Sequence, residues 1–362
     1  MGGAISGSVR GYRVVLIAGD GIGPEVTGAA VPVLEAAAAR FGCRLNLERH
    51  EAGAACYQRS GLAMSAETFA ACRDADALLK GPVGLPGVRL PDGTEAGVLG
   101  GVLRNGLDLF ANLRPIRLLD GVASPLAGRT SGSIDYAIVR ENTEGLYAAR
   151  GRGVATADAV ADTMLITRRG CERVARFAFD LARAGSGAPR DGVRRVTCVD
   201  KANVLRGFAF FRAVVEAVSA EYPEVVFESR YADAAAQALV LEPDAFDVIV
   251  CENFLGDILS DLGGATVGGL GFCPSGNIGE RGAYFEPIHG SAPGLAGSDR
   301  ANPLATILAG AMLLDRLGEF DAAGAVRAAT TSALRDGAVR VQRDGTLASG
   351  CRAAGETIAR LI

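Results

Sequence analysis

Residues 14–26 read Val-Val-Leu-Ile-Ala-Gly-Asp-Gly-Ile-Gly-Pro-Glu-Val, an apolar run followed by a glycine-rich loop and a proline. The run Val14–Ala18 predicts a buried strand, and the pattern from Pro24 to Arg40 predicts a helix. Pro24 suits the start of a helix, because the N–H that proline lacks has no helical partner there. A strand that leads through a loop into a helix is the repeating unit of an α/β fold.

This unit recurs along the chain, so the predicted fold class is α/β. Further strands are predicted at Ala77–Lys80, Ile134–Arg140, Arg195–Val199, Val225–Tyr231 and Asp247–Val250. Further helices are predicted at Arg168–Ala184, Asn203–Tyr222, Ala232–Val240, Pro303–Leu317 and Ala322–Asp336. Thr167 is the expected N-cap of the first of these helices, and Gly185 is its expected end.

The glycine loop does not fit a nucleotide fingerprint. When the pattern G-x-G-x-x-G is read from Gly21 and Gly23, its third glycine falls at Val26. No G-K-[ST] follows these glycines, which excludes a P-loop. The loop is therefore expected to line a cleft without specifying a nucleotide by itself.

The composition excludes several classes of function. At 362 residues, the chain can form one large domain or two ordinary ones. Its net charge of −4 gives no general attraction to nucleic acid or membranes, and no apolar run approaches the roughly 18 residues of a membrane span. Two histidines argue against a His-rich zinc centre and a triad hydrolase. Eight scattered cysteines without a C-x-x-C pair predict reduced thiols and a cytoplasmic protein.

An acidic pair occurs in the segment 253–264, which reads Asn-Phe-Leu-Gly-Asp-Ile-Leu-Ser-Asp-Leu-Gly-Gly. Helical spacing places Asp257 and Asp261 on one face, where two like charges cost roughly 0.2–0.5 kcal/mol. A cation between them would reverse this cost, and carboxylates suit Mg²⁺ or Mn²⁺. A solvated polar stripe on a surface helix is the alternative interpretation.

Basic and phenolic residues occur where an acidic substrate could bind. Arg104, Arg114 and Arg140 carry planar guanidinium groups, which pair with carboxylates through two hydrogen bonds. For each arginine alone, a surface charge is the alternative. Tyr147 and Lys201 can act as acid or base where burial and neighbours move their pKa values toward neutrality.

Six motifs follow one another in an order typical of one enzyme family. They are Gly-Asp-Gly-Ile-Gly-Pro-Glu from Gly19, Asn-Leu-Arg-Pro from Asn112, Glu-Asn-Thr-Glu-Gly-Leu-Tyr from Glu141, Asp-Lys-Ala-Asn-Val from Asp200, Gly-Asp-Ile-Leu-Ser-Asp from Gly256 and His-Gly-Ser-Ala-Pro from His289. Each motif is weak alone, but six in order are specific. From about Arg13 onward the chain resembles the β-decarboxylating dehydrogenases, the family of 3-isopropylmalate, isocitrate, homoisocitrate and tartrate dehydrogenases.

The resemblance implies an activity and a set of substrate-binding residues. The activity would be metal-dependent oxidative decarboxylation of a 3-substituted malate, with hydride transfer to NAD or NADP, of which NAD is favoured. Arg104, Arg114 and Arg140 would bind the substrate carboxylates, and Asn203 would lie near the substrate and the nicotinamide. Isocitrate, homoisocitrate, tartrate or malate dehydrogenase activity and a non-catalytic regulatory subunit are the alternative functions.

The resemblance also implies catalytic groups that two subunits share. Asp257 and Asp261 would hold Mg²⁺ or Mn²⁺ together with Asp233 of the partner subunit. Lys201 of the partner subunit would take the proton of the C2 hydroxyl, which the metal acidifies, and Tyr147 would protonate the enolate left by CO₂. The expected partners are therefore a hydroxy-dicarboxylate substrate and a second copy of the chain, with no nucleic acid and no membrane.

The implied fold is isopropylmalate/isocitrate dehydrogenase-like, with two α/β domains that share a continuous mixed sheet. Residues 11–115 and 267–362 would form the nucleotide-binding domain. Residues 116–266 would form the substrate, metal and dimerisation domain, with an arm near 148–161, and residues 1–10 would form a tail. A loop specific to the family would bind the nucleotide through His289, Gly290, Ser291, Ala292 and Gly294, with Asn302 at the adenine.

Two departures from the family pattern bear on specificity. Gly294-Leu295 occupies the position where NAD-specific members carry an aspartate and NADP-specific members carry Lys-Tyr, so neither selector is present. The positions expected beside the C3 substituent are Val98, Gly100 and Gly101, where isopropylmalate enzymes carry a leucine pair. We expect a substituent other than isopropyl, with a bulkier group as one option, unless a shifted register brings residues 85–98 to that place.

Overall fold

A computed structural model describes residues 10–362, and its central feature is a ten-stranded mixed sheet. The strands are β1 Arg10–Ile17, β2 Cys43–His50, β3 Ala77–Lys80, β4 Ala111–Arg117, β5 Asp135–Glu141, β6 Val154–Ala155, β7 Val160–Ala161, β8 Arg195–Asp200, β9 Val226–Tyr231, β10 Val248–Cys251, β11 Pro274–Ile278 and β12 Ala283–Pro287. The helices are α1 Gly23–Arg40, α2 Ala54–Ser60, α3 Ala66–Asp74, α4 Arg168–Ala184, α5 Arg206–Ser219, α6 Ala232–Leu241, α7 Asn253–Thr266, α8 Leu304–Arg316, α9 Phe320–Arg335 and α10 Cys351–Leu361.

The strand order in the large sheet is β2-β1-β3-β12-β11-β4-β5-β10-β8-β9. The first four strands are parallel to one another, as are the last four. Between them, β11 runs antiparallel to β12 and β4, and β4 runs antiparallel to β5. The mixed, continuous sheet confirms the expected α/β fold class, whereas the boundaries of the two domains stay a prediction.

Alternate residues of β1 face two different cores. Val14 and Leu16 are buried with α1, α8, α9 and α10, whereas Val15 and Ile17 are buried with α3 on the opposite face. Burial of one such side chain contributes roughly 1.5–3 kcal/mol. Because both faces are covered, the stretch 14–17 is apolar at every position, as is usual for a parallel strand.

Strand β10 is covered in the same way in the other half of the sheet. Val248 and Val250 pack with α4 and α5, and Ile249 and Cys251 pack with α6 and α7. Helix α7 follows β10 directly, and β10 lies beside β5 with parallel register. The start of α7 therefore lies at the carboxyl edge of these strands, where open α/β sheets place their ligands.

The predicted strands and helices are present, with shifted ends. The largest correction concerns α5, which begins at Arg206 and not at Asn203. The N–H groups of Val204 and Leu205 donate to the carbonyl of Lys201, so a turn occupies the segment that was predicted as helix. Strands β2, β4, β11 and β12 were not predicted. The expected N-cap is confirmed, because the Thr167 side chain accepts a hydrogen bond from the N–H of Gly170.

Four smaller expectations concern the N-terminal tail, the arm, membrane spans and the cysteines. Residues 1–9 of the expected tail lie outside the described residues, and Arg10 already belongs to β1. The segment expected to form an arm contains the exposed antiparallel hairpin β6–β7. Across residues 10–362, no helix is long and apolar enough to cross a membrane. All eight cysteines are free, as expected.

Candidate active site

A cleft of about 1320 Å³ lies beside the carboxyl end of β5. Its walls come from residues 92–105, from the end of β5 and the segment after it, from the β6–β7 hairpin and from the start of α7. Among the residues singled out in the sequence, Arg104, Arg140, Tyr147 and Asp257 line this cleft, as do Val98, Gly100 and Gly101. The fold therefore brings together residues from three separate segments of the chain.

Arg140 forms the buried floor of this group, with 1% of its surface exposed. Its Nε donates to Asn253 Oδ1 at 2.9 Å, and its Nη1 donates to Asp257 Oδ1. Gly256 makes room for it, because a Cβ at that position would overlap the Arg140 side chain. Burial, together with Arg114 and Arg104, lowers the pKa of Arg140 to about 9, so the guanidinium is charged at neutral pH.

Arg114 lies beneath the aspartate pair of α7. Its Nε donates to Asn112 Oδ1 at 2.6 Å, and its Nη1 donates to Ser260 Oγ at 2.5 Å. The same Nη1 lies 3.3 Å from Asp257 Oδ1 and 3.9 Å from Asp261 Oδ1. Since 5% of its surface is exposed, Arg114 supplies a fixed positive charge below both carboxylates.

Arg104 is held by a buried polar group that the sequence analysis did not find. Its Nε donates to Tyr284 Oη at 3.1 Å, and its Nη2 lies 3.6 Å from Glu286 Oε1. Glu286 also pairs with Lys80, with 2.5 Å between Oε2 and Nζ. Burial disfavours the charge on Glu286, but Lys80 and Arg104 outweigh this and lower its pKa to about 2. The detectable signal was the presence of charged residues within the apolar strands β3 and β12.

Tyr147 is coupled directly to the first aspartate of α7. Its Oη donates to Asp257 Oδ2 at 2.7 Å, and its ring packs edge-on against Phe254 with centroids 6.1 Å apart. The Arg140 guanidinium carbon lies 5.5 Å from the centroid of the same ring. Burial and the Asp257 carboxylate raise the pKa of Tyr147 to about 12, so its hydroxyl is protonated at neutral pH.

The two aspartates of α7 differ in charge environment. Burial disfavours the ionised form of Asp257. The positive charges of Arg140 and Arg114 outweigh this effect and hold the pKa of Asp257 below its usual value. Burial raises the pKa of Asp261. Carboxylate oxygens fit a hard divalent cation. Within residues 10–362, no three His, Cys, Asp or Glu side chains of one chain converge on a metal position, so one chain offers at most two such side chains to a cation there.

Lys201, Asn203 and Asp233 lie outside the lining of the cleft. They follow the carboxyl ends of β8 and of its neighbour β9, the edge strand. Lys201 Nζ donates to Asp233 Oδ1 at 2.8 Å, and Asn203 is exposed in the turn before α5. One chain therefore divides the predicted residues into two groups, one in the cleft and one at the edge of the sheet.

A second cavity, of about 310 Å³, lies at the expected nucleotide loop. His289, Gly290, Ala292 and Asn302 line it, as does Ile22 of the glycine loop, which confirms that this loop borders a cleft. Within the described part of the chain, His289 Nε2 and Asn302 Nδ2 are buried without a hydrogen-bond partner. Buried polar atoms usually have a hydrogen-bond partner, so a polar ligand in this cavity would supply the partners that these two atoms lack.

Two residues that were expected to bind the nucleotide, Ser291 and Gly294, do not line this cavity. Ser291 is buried, its Oγ donates to the carbonyl of Gly84 at 2.5 Å, and its own carbonyl accepts from the N–H of Ile22 at 2.8 Å. A Cβ at Gly21 would overlap that carbonyl, so this glycine is needed where the two loops touch. Ser291 therefore joins the loops and does not line the cavity.

Residues 13–358 match the model of the isocitrate/isopropylmalate dehydrogenase family. The chain belongs to this family. It is 42% identical to a 3-isopropylmalate dehydrogenase of Symbiobacterium thermophilum over 344 residues, which cover 90% of this chain and 91% of the relative. It is 41% identical to a 3-isopropylmalate/3-methylmalate dehydrogenase of Methanocaldococcus jannaschii over 337 residues, which cover 93% and 95%.

The fold agrees with a solved structure of the same family. The isocitrate dehydrogenase of Methylococcus capsulatus superposes with a TM-score of 0.85 at 36% identity, covering 97% of this chain and 99% of that protein. Membership confirms the resemblance that the six motifs indicated. The chain is thus an oxidoreductase of the NAD(P)-dependent decarboxylating kind, isopropylmalate dehydrogenase-like in function.

Proposed function

We propose that the cleft binds a 3-substituted malate and converts it to a 2-oxo acid and CO₂. The observation that carries this proposal is the convergence of Arg104, Arg140, Tyr147 and Asp257 in one cleft, with Arg114 beneath Asp257. Guanidinium groups are suited to the two carboxylates of a malate. The relatives named for isopropylmalate and methylmalate carry C3 groups of different size, which fits a substrate class defined by its malate core.

The proposed active site is completed by a second copy of the chain. Asp257 and Asp261 would hold Mg²⁺ or Mn²⁺ with Asp233 of the partner subunit, and Lys201 of the partner subunit would join them. Large apolar side chains are exposed on α6 and α7, including Leu241 at 66% and Ile258 at 53%. An apolar surface beside a two-carboxylate site supports a homodimer in which each subunit completes the other.

The proposed chemistry needs one base and one acid. Lys201 of the partner subunit accepts the proton of the C2 hydroxyl as hydride leaves C2, and Tyr147 donates a proton to C3 once CO₂ has left. A raised pKa suits Tyr147 to this role, because it holds the proton until a carbanion forms. A bound divalent cation would supply positive charge to the oxygen that becomes negative. Asn203 of the partner subunit is proposed near the nicotinamide.

NAD is the proposed nucleotide, bound at the smaller cavity. The orphaned groups of His289 and Asn302 support binding there, and burial lowers the pKa of His289 so that its imidazole is neutral. Among the described residues that line this cavity there is no lysine or arginine to pair with the extra phosphate of NADP. Free thiols throughout the chain support a cytoplasmic location.

The proposed C3 substituent is bulkier than isopropyl. Gly100 and Gly101 both line the cleft, and a Cβ at Gly101 would meet no atom within 4 Å. Asp92, Glu95 and Val98 line the same cleft. Its wall therefore includes both the glycine positions and residues of the segment 85–98, which a shifted register would bring to the substituent. The open space beside the two glycines supports a substituent that a leucine pair would exclude.

A substrate matrix tests the activity. Malates with hydrogen, methyl, isopropyl, carboxymethyl or benzyl groups at C3 are incubated with NAD or NADP and Mn²⁺, and both reduced nucleotide and CO₂ are measured. We expect one CO₂ for each reduced NAD, with kcat/KM highest for a group larger than isopropyl. Oxidation without CO₂ release, or no metal-dependent reduction with any malate, would contradict the proposal.

Hybrid dimers test the shared active site. Lys201→Met and Asp257→Asn each disable every site of their own homodimer. Mixed subunits of the two variants, refolded or co-expressed with different tags, are expected to regain one intact site per dimer. A hybrid without activity, together with a monomeric parent protein in sedimentation experiments, would contradict sharing.

A further inference from the structure

Arg212 connects the two strand ends that carry Lys201 and Asp233. It lies on α5, and its Nε and Nη2 each donate to one oxygen of Asp200 at 2.7 Å. Asp200 is the last residue of β8, is fully buried and directly precedes Lys201. A buried carboxylate needs a paired positive charge, and Arg212 supplies it.

The same carboxylate holds the turn that presents Lys201. Asp200 Oδ1 accepts a hydrogen bond of 2.8 Å from the N–H of Ala202, in addition to the bond from Arg212. The Asp200 carboxylate therefore links the Arg212 guanidinium to the backbone that directly follows Lys201. A shift of Arg212 would move this carboxylate and, through it, Lys201.

Arg212 also covers the residue that precedes α6. Its guanidinium carbon lies 4.9 Å from the centroid of the Tyr231 ring, within cation–π range. Asp200 and Tyr231 are register partners across β8 and β9, so one side chain spans both strand ends. Asp233 follows two residues after Tyr231 and accepts the hydrogen bond of Lys201.

We propose that Arg212 is a positioning residue that holds Lys201 and Asp233 at the spacing needed for proton removal from the substrate. The inference rests on the proposed function of Lys201 as the base. An arginine suits the task, since its planar fork can bind two oxygens and stack on a ring at once, whereas a lysine ammonium cannot do both. Displacement of a reacting group by about 1 Å can cost about 10²-fold in rate.

The lysine content of the chain gives a direct readout that does not depend on activity. Lys80 and Lys201 are the only lysines in the 362 residues. Protein grown on lysine labelled with ¹³C at Cε is therefore expected to give two Cε signals in an NMR spectrum. Lys80 is buried against Glu286, whereas the Lys201 side chain is 33% exposed, and the Lys201→Met variant assigns the two signals.

Arg212→Lys is the main variant, because it keeps a positive charge beside the buried Asp200. We expect kcat to fall by about 10²-fold with little change in the KM of the hydroxy acid, and the Cε signal of Lys201 to move. Asp200→Asn weakens the same Arg212–Asp200 pair, so it should also move the Cε signal of Lys201. The matched control is Arg176→Lys, since Arg176 makes a similar fork to Glu221 at 2.8 and 2.9 Å on the surface.

The outcomes separate this inference from the proposed function. Unchanged kcat in both Arg212→Lys and Asp200→Asn would overturn the positioning role, and so would a loss of kcat with the Lys201 signal unmoved. Failure of the proposed function has another signature, because Lys201→Met would then retain full activity. An equal loss in Arg176→Lys would show a general effect of surface arginines and would also overturn the inference.

Discussion

Tyr147 Oη donates a 2.7 Å hydrogen bond to Asp257 Oδ2, so the proposed acid is bonded directly to a proposed metal ligand. The carboxylate raises the pKa of the phenol, and a cation bound at Asp257 would withdraw part of that negative charge. Tyr147 should therefore donate its proton more readily when a cation is bound at Asp257. This relationship links metal binding to proton donation through one hydrogen bond.

Replacement of Tyr147 by phenylalanine tests the acid. We expect Tyr147→Phe to lower kcat by about 10²- to 10⁴-fold, because general acid catalysis contributes that much, while KM changes little. Steady-state rates of NAD reduction measure the effect. Tyr57→Phe is the control, because Tyr57 lies outside the cleft lining. A variant that keeps its kcat would remove Tyr147 from the mechanism.

Asp261→Asn tests the metal site without an activity measurement. The substitution removes one of the two carboxylates of α7, so the rise in melting temperature that Mn²⁺ produces should shrink. A ligand that binds the folded state stabilises it by RT ln(1 + [L]/Kd), and a weaker Kd lowers that gain. Asp180→Asn, on the surface of α4, is the control. An unchanged Mn²⁺ response would exclude Asp261 as a ligand.

The buried pair of Lys80 and Glu286 predicts a pH dependence of stability. The folded pKa of Glu286 is about 2, below its ordinary value of 4.5, because Lys80 and Arg104 outweigh the cost of burial. The pair therefore stabilises the fold fully above pH 4.5, and this contribution is lost as the pH falls through about 2.

Lys80→Met should remove roughly 3 kcal/mol of unfolding free energy at neutral pH, following about 1.4 kcal/mol per pKa unit. The difference from the parent should narrow below pH 4.5, as Glu286 takes up a proton in the variant. Urea unfolding at neutral and acid pH measures both values. Arg13→Met, which breaks an exposed pair with Glu48, should cost much less, because water screens the charges of that pair. A difference that stays constant with pH would contradict the account.

The sequence predicted the strand and helix pattern best where both faces of a strand are buried. The second half of β1, residues 14–17, is a continuous apolar run, and so is the whole of β10, and a single sequence reveals both. β4 and β11 were missed because polar residues such as Asn112 and Asn277 interrupt their apolar pattern. These two side chains are buried and hydrogen-bonded to each other at 2.9 Å, a pairing between strands that lie far apart in the chain.

The sequence predicted several residues of the candidate site, and the family resemblance implied that Lys201 and Asp233 would act from a partner subunit. Motif order identified Arg140, Tyr147 and Asp257, and the fold brings them together. Spacing alone could not reveal that Lys201 and Asp233 form a separate group, since this depends on the order of strands at the sheet edge. Glu286 was missed because its partners come from β3 and from the segment before β4.

Gly101→Leu tests the size of the C3 substituent. Gly101 lies in a single π-helical turn, Gly101–Asn105, and lines the cleft, and a Cβ at this position would meet no atom within 4 Å. Leucine also favours helical backbone over glycine by about 1 kcal/mol, so the fold should not be weakened. The added side chain fills the space that we assign to the substituent.

We expect Gly101→Leu to lower kcat/KM for the bulkiest accepted malate at least tenfold and to raise it, relative to that substrate, for isopropylmalate. A few methylene groups in an apolar pocket are worth about 1–3 kcal/mol, which corresponds to roughly 10- to 200-fold discrimination. Gly28→Leu is the control, since Gly28 is exposed on α1 and also has no neighbour within 4 Å. If both variants keep the order of preference of the parent, the substituent lies elsewhere, and residues 92–98 become the wall to test.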